Sequence, residues 1–201
     1  MKKYFFLISL SLAVAFMSCD KDEEDPVTPP VSGGKLVVYS NLVAEPALNS
    51  GRFQYFRLRD SAIVPFSDSG TTKWDLAFSS TTIRTNSGGS GPGQGGAIVT
   101  TGAFDEVITA PESGYSIDTT TTKPAIRTGS GNGWYNYNFS TMIVTPIPGK
   151  ILVIRTADGK YAKVEILNYY KNAPATLDTT SIPRHYKFKY FYQADGSKKL
   201  Q

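Results

Sequence analysis

The sequence is short of the residues that most reaction centres need. Its 201 residues include one cysteine, Cys19, and one histidine, His185. A single cysteine forms no internal disulfide and no cysteine metal cluster. His185 falls on the solvent face of its strand, and with no second histidine and no reactive cysteine, Ser-His-Asp, Cys-His and His-Glu-x-x-His chemistries are not expected. Asp75, Asp105, Glu106 and Glu165 are present, but no spacing marks any two of them as an acid–base pair, so an enzyme is not expected. Methionine is almost as scarce. Met1 and Met17 lie in the leader, which leaves Met142 alone in the mature chain. No window holds a long 3.6-residue apolar pattern, which argues against a helical domain. No basic run is interleaved with aromatics, and the positive excess left after residues 1–34 is modest and scattered, so nucleic acid is not an expected partner.

What is present begins with a leader. Lys2 and Lys3 form a positive start, Tyr4 to Phe16 is nearly all apolar, and Ser18 precedes Cys19. Residues 1–18 therefore read as a secretory signal peptide, too short in its apolar run to span a bilayer comfortably. A lone cysteine directly after such a leader is best explained by lipid attachment, and several acyl chains on one residue anchor stably. Residues 19–34 hold the acidic run DKDEED and then PVTPPVSGG. Neither part can bury apolar area, so both read as a disordered tether.

Residues 35–201 are long enough for one domain with a real core. Short runs rich in Thr, Tyr, Phe, Val and Ile, punctuated by turn residues, predict strands at 36–40, 52–58, 61–66 and 73–80. Pro65 suggests an edge or a strand end. In 73–80, Trp74, Leu76 and Phe78 alternate with Asp75, Ala77 and Ser79, which is the period of a half-buried strand. Residues 150–170 read as a hairpin turning at Asp158-Gly159. On its second arm Ala162, Val164 and Ile166 share one face, and Tyr161, Lys163 and Glu165 the other. Residues 184–192 put Tyr186, Phe188, Tyr190 and Tyr192 on one face, with His185, Lys187 and Lys189 on the solvent side. One short helical turn is expected near 104–107. The predicted fold is all-β: a single, mostly antiparallel domain, a sandwich or partly closed barrel.

Two motifs stand out. GPGQGG, 91–96, matches the spacing of a dinucleotide-binding loop, but AIVTTG after it reads as a strand where a helix is needed. A flexible hairpin loop is the expected reading. GWYNYNF, 133–139, holds Trp134, Tyr135, Tyr137 and Phe139 in seven residues. An extended strand there has aromatics on both faces, either core on one side and a ligand platform on the other, or core alone. Shortly after it comes Met142, in a loop ended by Pro146 and Pro148. Its thioether is either a soft metal donor or a gap-filling apolar group.

Taken in order, KWDLAF with RTN and the glycine loop, GGAIVTTGAFDEV, PESGYSID, GWYNYNF and ILVIRTADGKYAKVEILNYY resemble the HmuY-like family of Bacteroidetes lipoproteins over nearly all of 35–201. The acidic run after Cys19 is similar to the export signal that sends such lipoproteins to the outer face of the outer membrane. The resemblance implies an all-β fold, anchoring at the cell surface through Cys19, and capture of haem, free or from a haem-carrying protein, for delivery to a TonB-dependent outer-membrane receptor. Family members hold haem iron with two axial side chains. One lies between the GY-x-x-D strand and the GW strand, and the other just after GW. Here the first segment, 119–132, has no His, Met, Cys or Tyr, so the first ligand has no counterpart. In the second region Met142 is the candidate, displaced by a few residues from an ungapped reading. Tyr115, Tyr135 or Tyr137 would serve as phenolate donors, and Arg84 or Arg127 would pair haem propionates. The alternative is a surface module of the same fold that has lost haem ligation and binds a protein or glycan.

Overall fold

Aromatic and β-branched residues at alternate positions favour strands, because they pack on a pleated, half-buried surface. The computed structural model describes residues 33–46 and 50–201. The expected signal peptide, Cys19 and all but the last two tether residues lie outside them. Eleven strands are found: β1 (Gly34–Val43), β2 (Gln54–Arg57), β3 (Ala62–Val64), β4 (Leu76–Ser79), β5 (Thr82–Thr85), β6 (Gly96–Thr101), β7 (Tyr135–Asn138), β8 (Ile143–Pro146), β9 (Lys150–Arg155), β10 (Tyr161–Tyr170) and β11 (Pro183–Gln193). All pairings are antiparallel. One sheet runs β1-β11-β10-β9-β6, a second β3-β2-β4-β5, and β7-β8 form a separate hairpin. The sheets do not close into a barrel. The helical turn expected near 104–107 is a single 3-10 turn, Phe104–Glu106. Among the described residues no helix is long and apolar enough to cross a membrane.

The two larger sheets meet along an aromatic seam. Phe56 of β2 packs edge-on to Phe188 of β11 at 5.4 Å, and Phe78 of β4 lies 5.0 Å from Tyr186 and 5.7 Å from Phe188. Such pairs contribute about 1 kcal/mol each beyond the area they bury. The tyrosines also satisfy their hydroxyls across the seam. Tyr186 donates to the Ser80 carbonyl at 2.8 Å and Tyr190 to the Leu58 carbonyl at 2.8 Å. Burial pushes the Tyr186 phenol well above its ordinary pKa, so it stays a neutral donor.

Several expectations change on contact with the fold. The half-buried strand expected over 73–80 begins only at Leu76 and is buried on both faces, Leu76 and Phe78 in the main core and Ala77 in a separate cluster. Trp74 lies before β4 and packs with Val64 and Ala77, away from Leu76 and Phe78, with its indole N–H on the Ser69 carbonyl at 2.8 Å. The chain between β9 and β10 is longer than a two-residue hairpin: Thr156 donates its N–H to the Lys160 carbonyl, with Gly159 alone at positive φ, +80°. The outer face of β10 is covered. Lys163 is buried there, its ammonium donating to the Phe104 carbonyl at 2.7 Å and lying 4.3 Å from the centre of the Phe104 ring. Desolvation lowers its pKa. His185, on the same strand face as Lys187, is half-exposed and bonded through Nδ1 to the Pro183 carbonyl oxygen.

The glycine-rich stretch is not a hairpin loop. It joins β5 in one sheet to β6 in the other and packs around the buried side chain of Asn86. Asn86 donates to the carbonyls of Thr71 and Trp74, both at 2.8 Å, and accepts from Gly93 N–H at 2.9 Å. A Cβ on Gly91 would stand 2.2 Å from Asn86 Oδ1 and 2.8 Å from the Trp74 ring, so glycine is required by close approach.

Beside this loop lies Asp75, buried and in no salt bridge among the described residues. Its carboxylate accepts the Leu58 N–H at 2.8 Å, just past β2, and the Ala157 N–H at 3.0 Å, between β9 and β10. Burial pushes its carboxyl above the usual range, and the two N–H donors oppose that shift. Asp75→Ala leaves two buried N–H groups without acceptors. It should cost about 2–4 kcal/mol, read as a fall in the urea midpoint at unchanged slope.

Candidate functional site

Three connections converge at one end of the domain: the two-residue turn Ser80–Thr81 between β4 and β5, the tip of the β7–β8 hairpin, and residues 171–182 between β10 and β11. They border a cleft of about 570 Å³, within the size range of small-molecule sites. Its inner wall is tyrosine. Tyr135 accepts hydrogen bonds from the Thr81 hydroxyl and the Gly129 N–H, both at 3.2 Å, and Tyr170 accepts from the Val144 N–H at 2.9 Å. Tyr169 lies 3.5 Å from the Ser80 hydroxyl, and burial raises its pKa. These bonds fix the rings before any ligand arrives.

The outer rim is apolar and open. Tyr137 packs edge-on against Phe139 at 4.9 Å, and Phe139 is 82% exposed. Met142 borders the same cleft and is 67% exposed at the hairpin turn, with φ +57°. It fills no gap in the core. It also sits in the turn of a two-stranded hairpin, since 143–146 form β8 rather than a plain loop. Trp134 has a different place from its neighbours. It is buried in the main core, 5.0 Å from the Tyr135 ring and 5.1 Å from Tyr186, with its indole N–H on the Thr81 carbonyl at 3.0 Å. The aromatic strand is thus core through Trp134 and cleft through Tyr135, Tyr137 and Phe139.

The two arginines singled out from the sequence do not border this cleft. Arg84 of β5 lies over the Phe53 ring at 4.0 Å and donates to the Thr121 carbonyl, and burial lowers its pKa. Arg127 is exposed on a separate depression with Asn132 and Lys150. Tyr115 belongs to the second core cluster, beside Tyr161, where burial raises its phenol to about 12. Segment 119–132 reaches the cleft through Ser130, whose hydroxyl accepts the Tyr137 N–H at 2.8 Å. Of the four carboxylates, Asp105 and Glu106 share the 3-10 turn Phe104–Glu106. Asp75 is an acceptor for two backbone groups, Glu106 accepts the Ala103 N–H, and Glu165 pairs with Lys189 at 2.9 Å. Among the described residues no group of three or more His, Cys, Asp or Glu could hold a metal ion.

The cleft also contains residues that sequence patterns did not single out: Tyr169, Tyr170 and Arg184. The one available signal was the connection 171–182, long for the gap between two antiparallel strands.

A family model described as HmuY protein matches residues 49–190, which include most of the cleft. The chain belongs to the HmuY family. The match agrees with the resemblance carried by the KWDLAF, GW and VIRTADGKYAKVEI segments. A search of curated proteins finds no match. Among solved structures, a candidate HmuY-like haem-binding protein from Bacteroides vulgatus is 18% identical, with a TM-score of 0.51 over 83% of this chain and 96% of that one. The apo form of an HmuY analogue from Tannerella forsythia is 17% identical, with a TM-score of 0.52 over 80% of this chain and 96% of that one. A candidate lipoprotein from Bacteroides fragilis, 18% identical, has a TM-score of 0.49 over 83% and 95% of the two chains. The first two share the HmuY fold with this chain.

The position of Met142 gives a test of what it does for stability. A core methionine truncated to alanine costs about 2–5 kcal/mol. Met142 buries little and holds a left-handed backbone that a side chain adopts at a cost of about 1–2 kcal/mol. Met142→Gly should therefore leave the unfolding free energy unchanged or raise it by up to about 1 kcal/mol, measured by chemical denaturation.

Proposed function

We propose that this domain captures haem, or a related tetrapyrrole, in the tyrosine-walled cleft without converting it. The observation that supports this best is the place of Met142. It follows the GW strand, where the family resemblance puts an iron ligand, and it lies on the rim of an aromatic cleft. The residues present fit such a cargo in kind. Tyr135, Tyr137 and Phe139 offer ring faces and edges for an apolar macrocycle, and the thioether is a soft, neutral donor suited to haem iron. The donor set has one such side chain, so iron ligation through Met142 leaves the opposite axial position to water or to a cleft tyrosine. The wider reading is an exported lipoprotein. Residues 1–18 are its signal peptide and Cys19 its lipid anchor. Residues 19–34 are its tether, and 35–201 form the capture domain. It passes its cargo to a TonB-dependent outer-membrane receptor.

A second reading is favoured by one observation, the 82% exposure of Phe139 at the hairpin tip. An open aromatic tip suits docking to a protein or glycan. One titration separates the two. Haem added to the protein, oxidised and reduced, should give a saturable Soret shift, and Met142→Ala should change the spectrum of the complex. No saturable shift in either redox state sinks haem capture and leaves the docking reading. An unchanged spectrum in the variant removes Met142 from the iron.

A further inference from the structure

We infer that Arg184 is the carboxylate-binding residue of the cleft, so that its ligand is an apolar ring system bearing a carboxylate arm. This rests on the cleft being the ligand site. Arg184 is the only lysine or arginine among the residues that border it. The guanidinium is held on one side by a buried carboxylate. Nη1 is buried and lies 2.8 Å from Oε2 of Glu45, whose side chain is only 8% exposed. That contact is an ion pair without hydrogen-bond alignment, and the guanidinium also reaches the Tyr169 hydroxyl on the cleft wall. A planar fork of N–H donors on the cleft border matches a carboxylate better than a point charge would.

The backbone supports the same reading. Arg184 has φ +66° and Glu45 φ +72°, so both ends of the ion pair occupy left-handed conformations. The Ala44 N–H donates to the Arg184 carbonyl at 2.9 Å and locks the pair between β1 and β11. Ser80 and Met142, also on the cleft, have φ +49° and +57°. Left-handed non-glycine residues gathered at one site are the usual mark of backbone held for a purpose other than packing. Two carboxylates oppose an anionic ligand here: Glu45, already paired with Arg184, and Asp178 on the cleft border. The Oδ1 of Asp178 is already taken by the N–H and hydroxyl of Thr180 and by the N–H and hydroxyl of Ser181, so it is turned into its own loop.

The test compares haem with haem dimethyl ester, in which both carboxylates are blocked, by Soret titration of the full chain. The wild type should bind haem about tenfold more tightly than the diester, the size expected for one charge-assisted pair. Arg184→Gln should bind both alike, near the diester affinity. Because Arg184→Gln strands the Glu45 carboxylate, the double variant Glu45→Gln/Arg184→Gln is measured beside it and should behave in the same way. Equal binding of haem and diester by the wild type overturns the role of Arg184 while leaving capture in the cleft intact. Discrimination retained by a folded variant does the same. Binding of neither by the wild type fails the cleft reading itself, and this inference with it.

Discussion

The Asp75 carboxylate ties the two large sheets together. One oxygen holds the chain as it leaves β2, and the other holds the turn between β9 and β10. A carboxyl this deep stands at a desolvation cost, visible in its raised pKa. It persists because no apolar side chain could accept two N–H groups from different sheets. Once those two segments are fixed, the aromatic seam has one register, and Tyr186 and Tyr190 find their carbonyl partners across it. Asn86, whose backbone N–H donates to the Asp75 carbonyl at 3.1 Å, repeats the device with its side-chain amide donating twice and accepting once. A small polar network thus sets a large apolar contact.

The cleft depends on this frame without being part of it. Its inner tyrosines are anchored to backbone or to hydroxyls of neighbouring turns, whereas its rim, Phe139 and Met142, rests on a hairpin tip. Pre-set rings lower the ordering cost of binding. The exposed rim can change without loss to the core.

The long strands were legible in the sequence because local alternation decides them. β11 buries alternate residues from Tyr186 to Tyr190, and β10 buries Ala162, Val164 and Ile166 on the face its pattern predicts. Local patterns fail where coverage is non-local. Trp74 reads as a partner of Leu76 because nothing nearby in sequence says that the strand begins later. Lys163 reads as surface because Phe104 and its 3-10 turn cover it from fifty-nine residues away. The aromatic half of the cleft lay in one stretch, 135–142, and could be read. Its other half, Tyr169, Tyr170 and Arg184, comes from the far end of the chain by strand pairing. The choice of Arg84 and Arg127 as anion partners rested on charge alone, and the fold sends them to other surfaces.

β1 runs from Gly34, paired with Gln193, to Val43, paired with His185. Ten residues of strand cover about 30 Å. The Val43 end abuts Arg184 and the cleft, and the Gly34 end is where the chain departs toward its N-terminus. An attachment made through that N-terminal segment would grip the domain at its foot. The cleft would then stand about a full strand length from the point of attachment.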